Sequence, residues 1–180
     1  MTKRFLANWG RELFVALLLA LVIRAEVAEA RKVPTPSMAP TVLPGDRLLA
    51  EKLLYRFTGP KRGDIVVFSP PFAAETGYVG EFLGLGDDYL KRVIALPGET
   101  VEVRAGRVLI DGVPLEEPYL LAAPRYTLPP MTVPEGRLFV LGDNRNHSYD
   151  SHLWGLLDAE SVHSRAVFRF WPLGRIGPVD

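Results

Sequence analysis

The sequence predicts a mainly β fold, an antiparallel and partly closed β-domain with few helices, carried behind one N-terminal helix. Three observations lead there. Short runs of β-branched and aliphatic residues recur along the chain, as in Ile65-Val66-Val67-Phe68 and Leu138-Phe139-Val140-Leu141. Turn dipeptides separate such runs at Pro97-Gly98, Ala105-Gly106 and Asp111-Gly112. Sixteen prolines and sixteen glycines among 180 residues leave little room for long helices after residue 30.

Composition also bounds function. A hydrophobic content of 48% is enough for the core of one domain. Lys plus Arg equals Asp plus Glu at 21 each, so the chain lacks the basic excess by which a nucleic-acid binder is recognised. The chain has no cysteine, which excludes a disulfide frame, a thiolate zinc site and a cysteine nucleophile.

Residues 1–30 read as a cytoplasmic stub and membrane anchor, and residues 31–180 as an extracytoplasmic domain. Lys3, Arg4 and Arg11 precede an apolar run from Leu13 to Ile23. At about 1.5 Å per residue that run covers about half of a ~30 Å hydrocarbon core. Extension through Arg24, Ala25, Val27 and Ala28 lengthens it towards a full span if Arg24 and Glu26 reach the headgroups. A cleavable secretory signal ending at Ala28-Glu29-Ala30 fits the same residues. Either reading places the remainder outside the cytoplasm.

From Val33 to Asp46, Pro34, Pro36, Pro40 and Pro44 exclude a regular helix and leave an extended strip. An apolar stretch from Arg47 to Phe57 follows, then a turn at Gly63-Asp64 and a buried strand over Ile65 to Phe68. Ser69 to Asp88 is a Pro, Gly and aromatic loop of a length that is usually functional or mobile. Lys91 to Leu96 forms the next strand, Val101 to Val103 and Val108 to Ile110 make consecutive hairpins, and strands over Leu138 to Leu141 and Ala166 to Trp171 close the domain.

Three segments carry candidate chemistry. Ser37 sits in a proline-stiffened strip, and rigidity preserves the aim of an attacking oxygen. A serine hydroxyl needs a base, for which the three histidines, the carboxylates and lysines on buried strands are available. Among these Lys91 stands at the head of an apolar strand, where burial disfavours its charged form and makes a neutral amine accessible. The third segment, Gly142 to His152, is a dense run of hydrogen-bonding side chains after a hydrophobic strand. Its His147 and His152 leave a metal site or a Ser/His/Asp triad open, although no third ligand with metal-like spacing accompanies them.

In order and spacing these segments resemble type I signal peptidase, the leader peptidase family of serine-lysine dyad proteases. Ser37-Met38-Ala39-Pro40-Thr41, with Gly45-Asp46 after it, is similar to the family's nucleophile box. Arg62 to Phe68 resembles its next strand, Lys91 to Glu99 its lysine box, and Gly142-Asp143-Asn144-Arg145 through Ser148, Asp150 and Ser151 its last box. Phe168 to Leu173 resembles the family's end. The resemblance implies that Ser37 is the nucleophile and Lys91 the general base, with the Ser37 amide and the Thr35 hydroxyl holding the oxyanion. It further implies that Ser148 orients the lysine amine, and that Arg92 with Asp143 and Arg145 with Asp150 are ionic supports.

The activity so implied is removal of signal peptides from exported preproteins, by a single-pass enzyme of the cell membrane whose catalytic domain is extracytoplasmic. Its partners would be preprotein signal peptides and the lipid bilayer, with no metal, organic cofactor or nucleic acid. Shallow pockets would select small residues at the first and third positions before the cut. Two positions depart from the family pattern: Pro36 stands where Gly is common, and His152 where Arg is usual. The alternatives are a self-cleaving repressor-type Ser-Lys protease, which needs no apolar anchor, and a non-catalytic envelope binding domain.

Overall fold

The chain enters as a helix, α1 (Thr2–Val22), which widens into a single π-turn over Ile23–Val27. The structure is a computed structural model that describes residues 2–70 and 88–179. Most of the loop expected over Ser69 to Asp88 therefore lies outside the described residues. Every described side chain of α1 from Arg11 to Leu21 is exposed. Among the described residues no helix is long and apolar enough to cross a membrane. The expected extension of the apolar run into a full span is not found, because the chain has already become a strand at Ala28. That strand, β1 (Ala28–Lys32), begins inside the segment assigned to the anchor and pairs Ala28 with Glu51.

The strip that follows is irregular apart from one 3-10 turn at Pro36–Met38. Next come β2 (Arg47–Glu51), a short helix α2 (Leu53–Thr58), β3 (Ile65–Phe68) and β4 (Tyr89–Ala95). Two hairpins give β5 (Thr100–Arg104), β6 (Arg107–Ile110) and β7 (Val113–Pro114). The chain continues through β8 (Leu128–Thr132), β9 (Arg137–Leu141), a one-turn helix α3 (Ser151–Trp154) and β10 (Leu157–Asp158). It ends in the long β11 (Val162–Trp171) and the short β12 (Gly177–Pro178). The last main strand thus starts earlier than the apolar pattern predicts.

Among the described residues two sheets form, and every pairing is antiparallel. One has eight strands in the order β1-β2-β11-β3-β4-β9-β10, with β12 on β11, and the other has four in the order β7-β6-β5-β8. The mainly β, antiparallel expectation is met. Strand β3 and the second half of β4 are buried on both faces, which is why their sequences are unbroken apolar runs rather than alternating ones. Ile94, Val101, Val108 and Phe139 join the small sheet to the large one in one apolar cluster. Met38 and Val42 pack with Val33, Leu48, Ile65 and Ala166 in another. This second cluster fastens the irregular strip to the large sheet and so fixes the height of Ser37 above β4.

Candidate active site

Ser37 lies within the 3-10 turn that Pro36 starts, with Thr35 just before it. The turn is bonded at several points. The Ala39 amide donates to the Pro36 carbonyl at 3.0 Å and the Val42 amide to the Met38 carbonyl at 2.9 Å. Asn144 holds the other side: its amide donates to the Ser37 carbonyl at 3.0 Å and its Nδ2 to the Pro36 carbonyl at 3.2 Å. A rigid strip of this kind keeps the serine oxygen aimed.

Lys91 reaches the serine from β4. Its Nζ donates to Ser37 Oγ at 2.9 Å and to the Leu90 carbonyl at 3.1 Å. Both residues are nearly closed to solvent, Ser37 at 9% and Lys91 at 4% exposure. Burial pulls the Lys91 pKa down from 10.5 to about 8, against the opposing fields of Asp150 and Asp143. A large share of the lysine is then neutral near pH 8, and a neutral amine can accept the hydroxyl proton. Thr35 Oγ1 lies 3.2 Å from Ser37 Oγ, so a second hydroxyl stands beside the nucleophile.

The ionic supports are in part those expected. Arg92 donates through Nε to Asp143 Oδ1 at 2.9 Å and through an η nitrogen to Oδ2 at 2.8 Å, a buried two-point pair. Thr41 Oγ1 donates to the same Asp143 Oδ2 at 2.6 Å. One carboxylate therefore ties the serine strip to the strand that carries Lys91. The Tyr119 ring covers the Arg92 guanidinium at 4.0 Å.

The expected Arg145–Asp150 pair is not formed. Arg145 bonds Glu117 with both η nitrogens, one at 2.9 Å. Asp150 instead accepts the Gly142 amide at 2.9 Å and meets His152 Nδ1 at 2.6 Å, while capping α3. The imidazole occupies the place where an arginine was expected to pair, and it stacks on Tyr126 at 4.0 Å.

Ser148 makes no hydrogen bond to Lys91 in this structure. Its hydroxyl is buried but has no hydrogen-bond partner among the described residues, and the second bond of Lys91 goes to the Leu90 carbonyl instead. The Ser148 side chain fills the space beside Gly142 where a Cβ would project. A side chain there would overlap both Ser148 Oγ and the Ser37 carbonyl oxygen.

None of the histidines bonds Ser37. His147 meets Asn144 Oδ1 at 3.3 Å, His152 meets Asp150, and His163 meets Ser69 Oγ at 2.9 Å. No group able to hold a metal ion is found among the described residues. Sequence reasoning missed Glu117, Tyr119, Asn144 and the tie from Thr41. Asn144 and Thr41 lay inside the recognised boxes without a role. Nothing local separates Glu117 from Glu116, since its partner is 28 positions away.

Residues 6–171 match the model of the family described as signal peptidase, peptidase S26. A probable signal peptidase I of Synechocystis is 52% identical over 166 residues, covering 92% of this chain and 82% of that protein. A signal peptidase I of Leptolyngbya laminosa is 50% identical over 163 residues, covering 91% of this chain and 78% of that protein. A crystal structure of a signal peptidase I from Enterococcus faecalis, 34% identical, aligns over 60% of this chain and 97% of its own with a TM-score of 0.49.

Proposed function

The chain belongs to the signal peptidase family, peptidase S26, and is a serine peptidase; within that family we propose that it is a membrane-bound endopeptidase that removes signal peptides from exported preproteins with a Ser37–Lys91 dyad. The observation that carries the dyad is the 2.9 Å contact between Lys91 Nζ and Ser37 Oγ in a buried site. In the reacting state the lysine is neutral and the serine hydroxyl donates to it. As Ser37 Oγ bonds to the scissile carbonyl carbon, its proton passes to Nζ, and the ammonium then returns that proton to the leaving amine. Water repeats the sequence to free the enzyme.

The developing oxyanion is held by the Ser37 amide and the Thr35 hydroxyl, and loss of one such donor costs about 3 kcal/mol. We propose that Ser148, whose buried hydroxyl has no partner among the described residues, orients the lysine amine once Lys91 is neutral. Arg92 with Asp143 keeps the strip and the strand in register, while Arg145 and Asp150, each with its own partner, hold the turn after β9. The substrate lies extended along a strand edge, with small side chains at the first and third positions before the cut.

Attachment to the bilayer belongs to the same reading, with α1 as the attaching element and the domain from β1 onward on the extracytoplasmic side. Two features support attachment. Leu13, Phe14, Leu17 and Leu18 of α1 are more than half exposed, and the domain itself exposes Leu54, Phe57, Trp171 and Leu173. Arg11 and Glu12 mark the helix turn at which the apolar half begins.

The test is cleavage of a preprotein by the detergent-solubilised full chain. Ser37→Ala, Lys91→Ala and Lys91→Arg should each be folded by circular dichroism and inactive. An active Lys91→Arg protein would remove lysine as base, because a guanidinium does not release its proton in this range. Leu17→Asp together with Leu18→Asp should release the protein from washed membranes, and unchanged sedimentation would refute the anchor.

A further inference from the structure

A polar cavity of about 290 Å³ opens beside the serine strip, lined by Arg125, Tyr126, Arg145, Asn146, His147 and His152. It is mechanically continuous with the nucleophile. Asn144 bonds the carbonyls of Pro36 and Ser37 on one side and His147 Nδ1 on the other. The opposite wall is fixed by Asn146, which accepts the Arg125 amide at 2.8 Å and donates to the Ala123 carbonyl at 3.0 Å.

The charges around the cavity are unequally spent. Arg145 is consumed by Glu117, and Asp150 faces His152; the two carboxylates are nearly closed to solvent behind those partners. Arg125 is different. It is exposed and has no ion pair or side-chain hydrogen bond among the described residues, so it is the one cation of the lining left without a compensating carboxylate there. With the imidazole of His147 also at the surface, the free valence of the cavity is for an anion of carboxylate size.

Position identifies which part of a substrate would supply it. The exposed apolar residues of α1, α2 and the end of β11 lie towards the β1–β2–β11 end of the large sheet, where the membrane-held signal segment would sit. The cavity is built from the segment between β9 and β10 and from the segment between β7 and β8, which supplies Arg125 and Tyr126; its β9–β10 wall lies at the other end of the large sheet, and the Ser37 strip, which contacts β4, lies between the two ends. A peptide crossing Ser37 from the apolar end therefore brings its mature segment to the cavity. An extended chain advances about 3.3 Å per residue, so successive residues beyond the scissile bond present their side chains at distinct distances from Ser37 and one position is expected to match the cavity.

We propose that this cavity is a subsite for an acidic side chain in the mature segment of the preprotein, with Arg125 as its specificity-determining residue. The inference rests on the signal peptidase reading and refines its substrate class. Coulomb attraction at a partly solvated site is modest and falls with salt.

The test uses the detergent-solubilised full chain and peptides that carry Asp, Asn or Lys in turn at each of the first four positions after the cut. At one position Asp should exceed Asn in kcat/KM by about three- to fivefold, with Lys below both, and 0.5 M-range salt on the order of a Debye length of a few ångströms should erase the difference. Arg125→Gln should abolish the Asp preference while cleaving the Asn peptide as the unaltered protein does, and Arg125→Lys should retain most of it. Equal rates for Asp and Asn at all positions, or a preference that survives in Arg125→Gln, would overturn the subsite and leave the dyad standing. If the unaltered chain cleaves neither the Asn nor the Asp peptides, the proposed function falls, and the subsite with it.

Discussion

Replacing Lys91 by methionine should abolish turnover and at the same time stabilise the fold. The lysine is 4% exposed, and burial is the leading cause that takes its pKa from 10.5 to about 8. At about 1.4 kcal/mol per pH unit, that drop corresponds to about 3 kcal/mol of folding free energy lost at neutral pH. Methionine has a similar length, carries no charge and packs adaptably, so it should recover about 1 to 3 kcal/mol. The sign follows from proton linkage. Between about pH 8 and pH 10.5 the unfolded chain binds the proton that the folded chain has released, so stability of the unaltered protein rises with pH through that window. Below it the handicap is fully present. Urea unfolding of the solubilised chain and its Lys91→Met variant at pH 7 and pH 10 measures this. The variant should be the more stable at pH 7, and the gap should narrow by pH 10. A variant no more stable at pH 7, or a gap indifferent to pH, would show that the lysine is not held against its solvation preference.

The same titration should appear in catalysis, with kcat/KM rising with pH to a midpoint near the Lys91 value of about 8, and a midpoint near the ordinary lysine value would contradict the buried site. Gly142→Ala should leave a folded protein with kcat reduced by roughly a hundredfold, because the added methyl must displace Ser148 or the Ser37 carbonyl; full activity would refute that crowding. Asp143→Asn should cost about 3 to 5 kcal/mol in thermal or urea unfolding, since it leaves the buried Arg92 charge without its partner, whereas a loss below about 1 kcal/mol would mean the pair is relaxed in solution.

Legibility in the sequence followed the range of the interaction concerned. Ile65 to Phe68 and Leu138 to Leu141 could be read because burial on both faces leaves an unbroken apolar run. Lys91 could be read because an ammonium is out of place at the head of such a run. Strand β1 could not, since Ala28-Glu29-Ala30-Arg31-Lys32 has no β-branched residue. It is held by pairing with β2 and by Glu29, whose buried carboxylate meets Arg31, Lys52 and Ser164. Lys52 and Ser164 lie far from Glu29 in sequence, so no local pattern announces them. Glu117 escaped for the same reason, and with it the fact that Arg145 and Asp150 belong to different pairs.

That separation of the two pairs has a consequence for the base. Asp143 and Asp150 both favour the charged form of Lys91, and an uncompensated carboxylate at either position would undo part of what burial achieves. Arg92 offsets the first with a bidentate bond, and the imidazole of His152 meets the second at 2.6 Å. His152 is therefore a positioning residue that acts on the lysine through Asp150, without touching substrate. His152→Gln keeps a neutral hydrogen-bonding side chain beside Asp150, so the acid limb of kcat/KM should stay near the midpoint of the unaltered protein. His152→Arg adds a permanent charge that offsets the Asp150 field and should move the limb down by roughly half to one pH unit, with kcat at high pH little changed in either variant. A purely structural role would lower kcat at every pH and leave the midpoint in place. Coincident midpoints for the unaltered protein, His152→Gln and His152→Arg would show that the Asp150 field reaching Lys91 does not depend on what stands at residue 152.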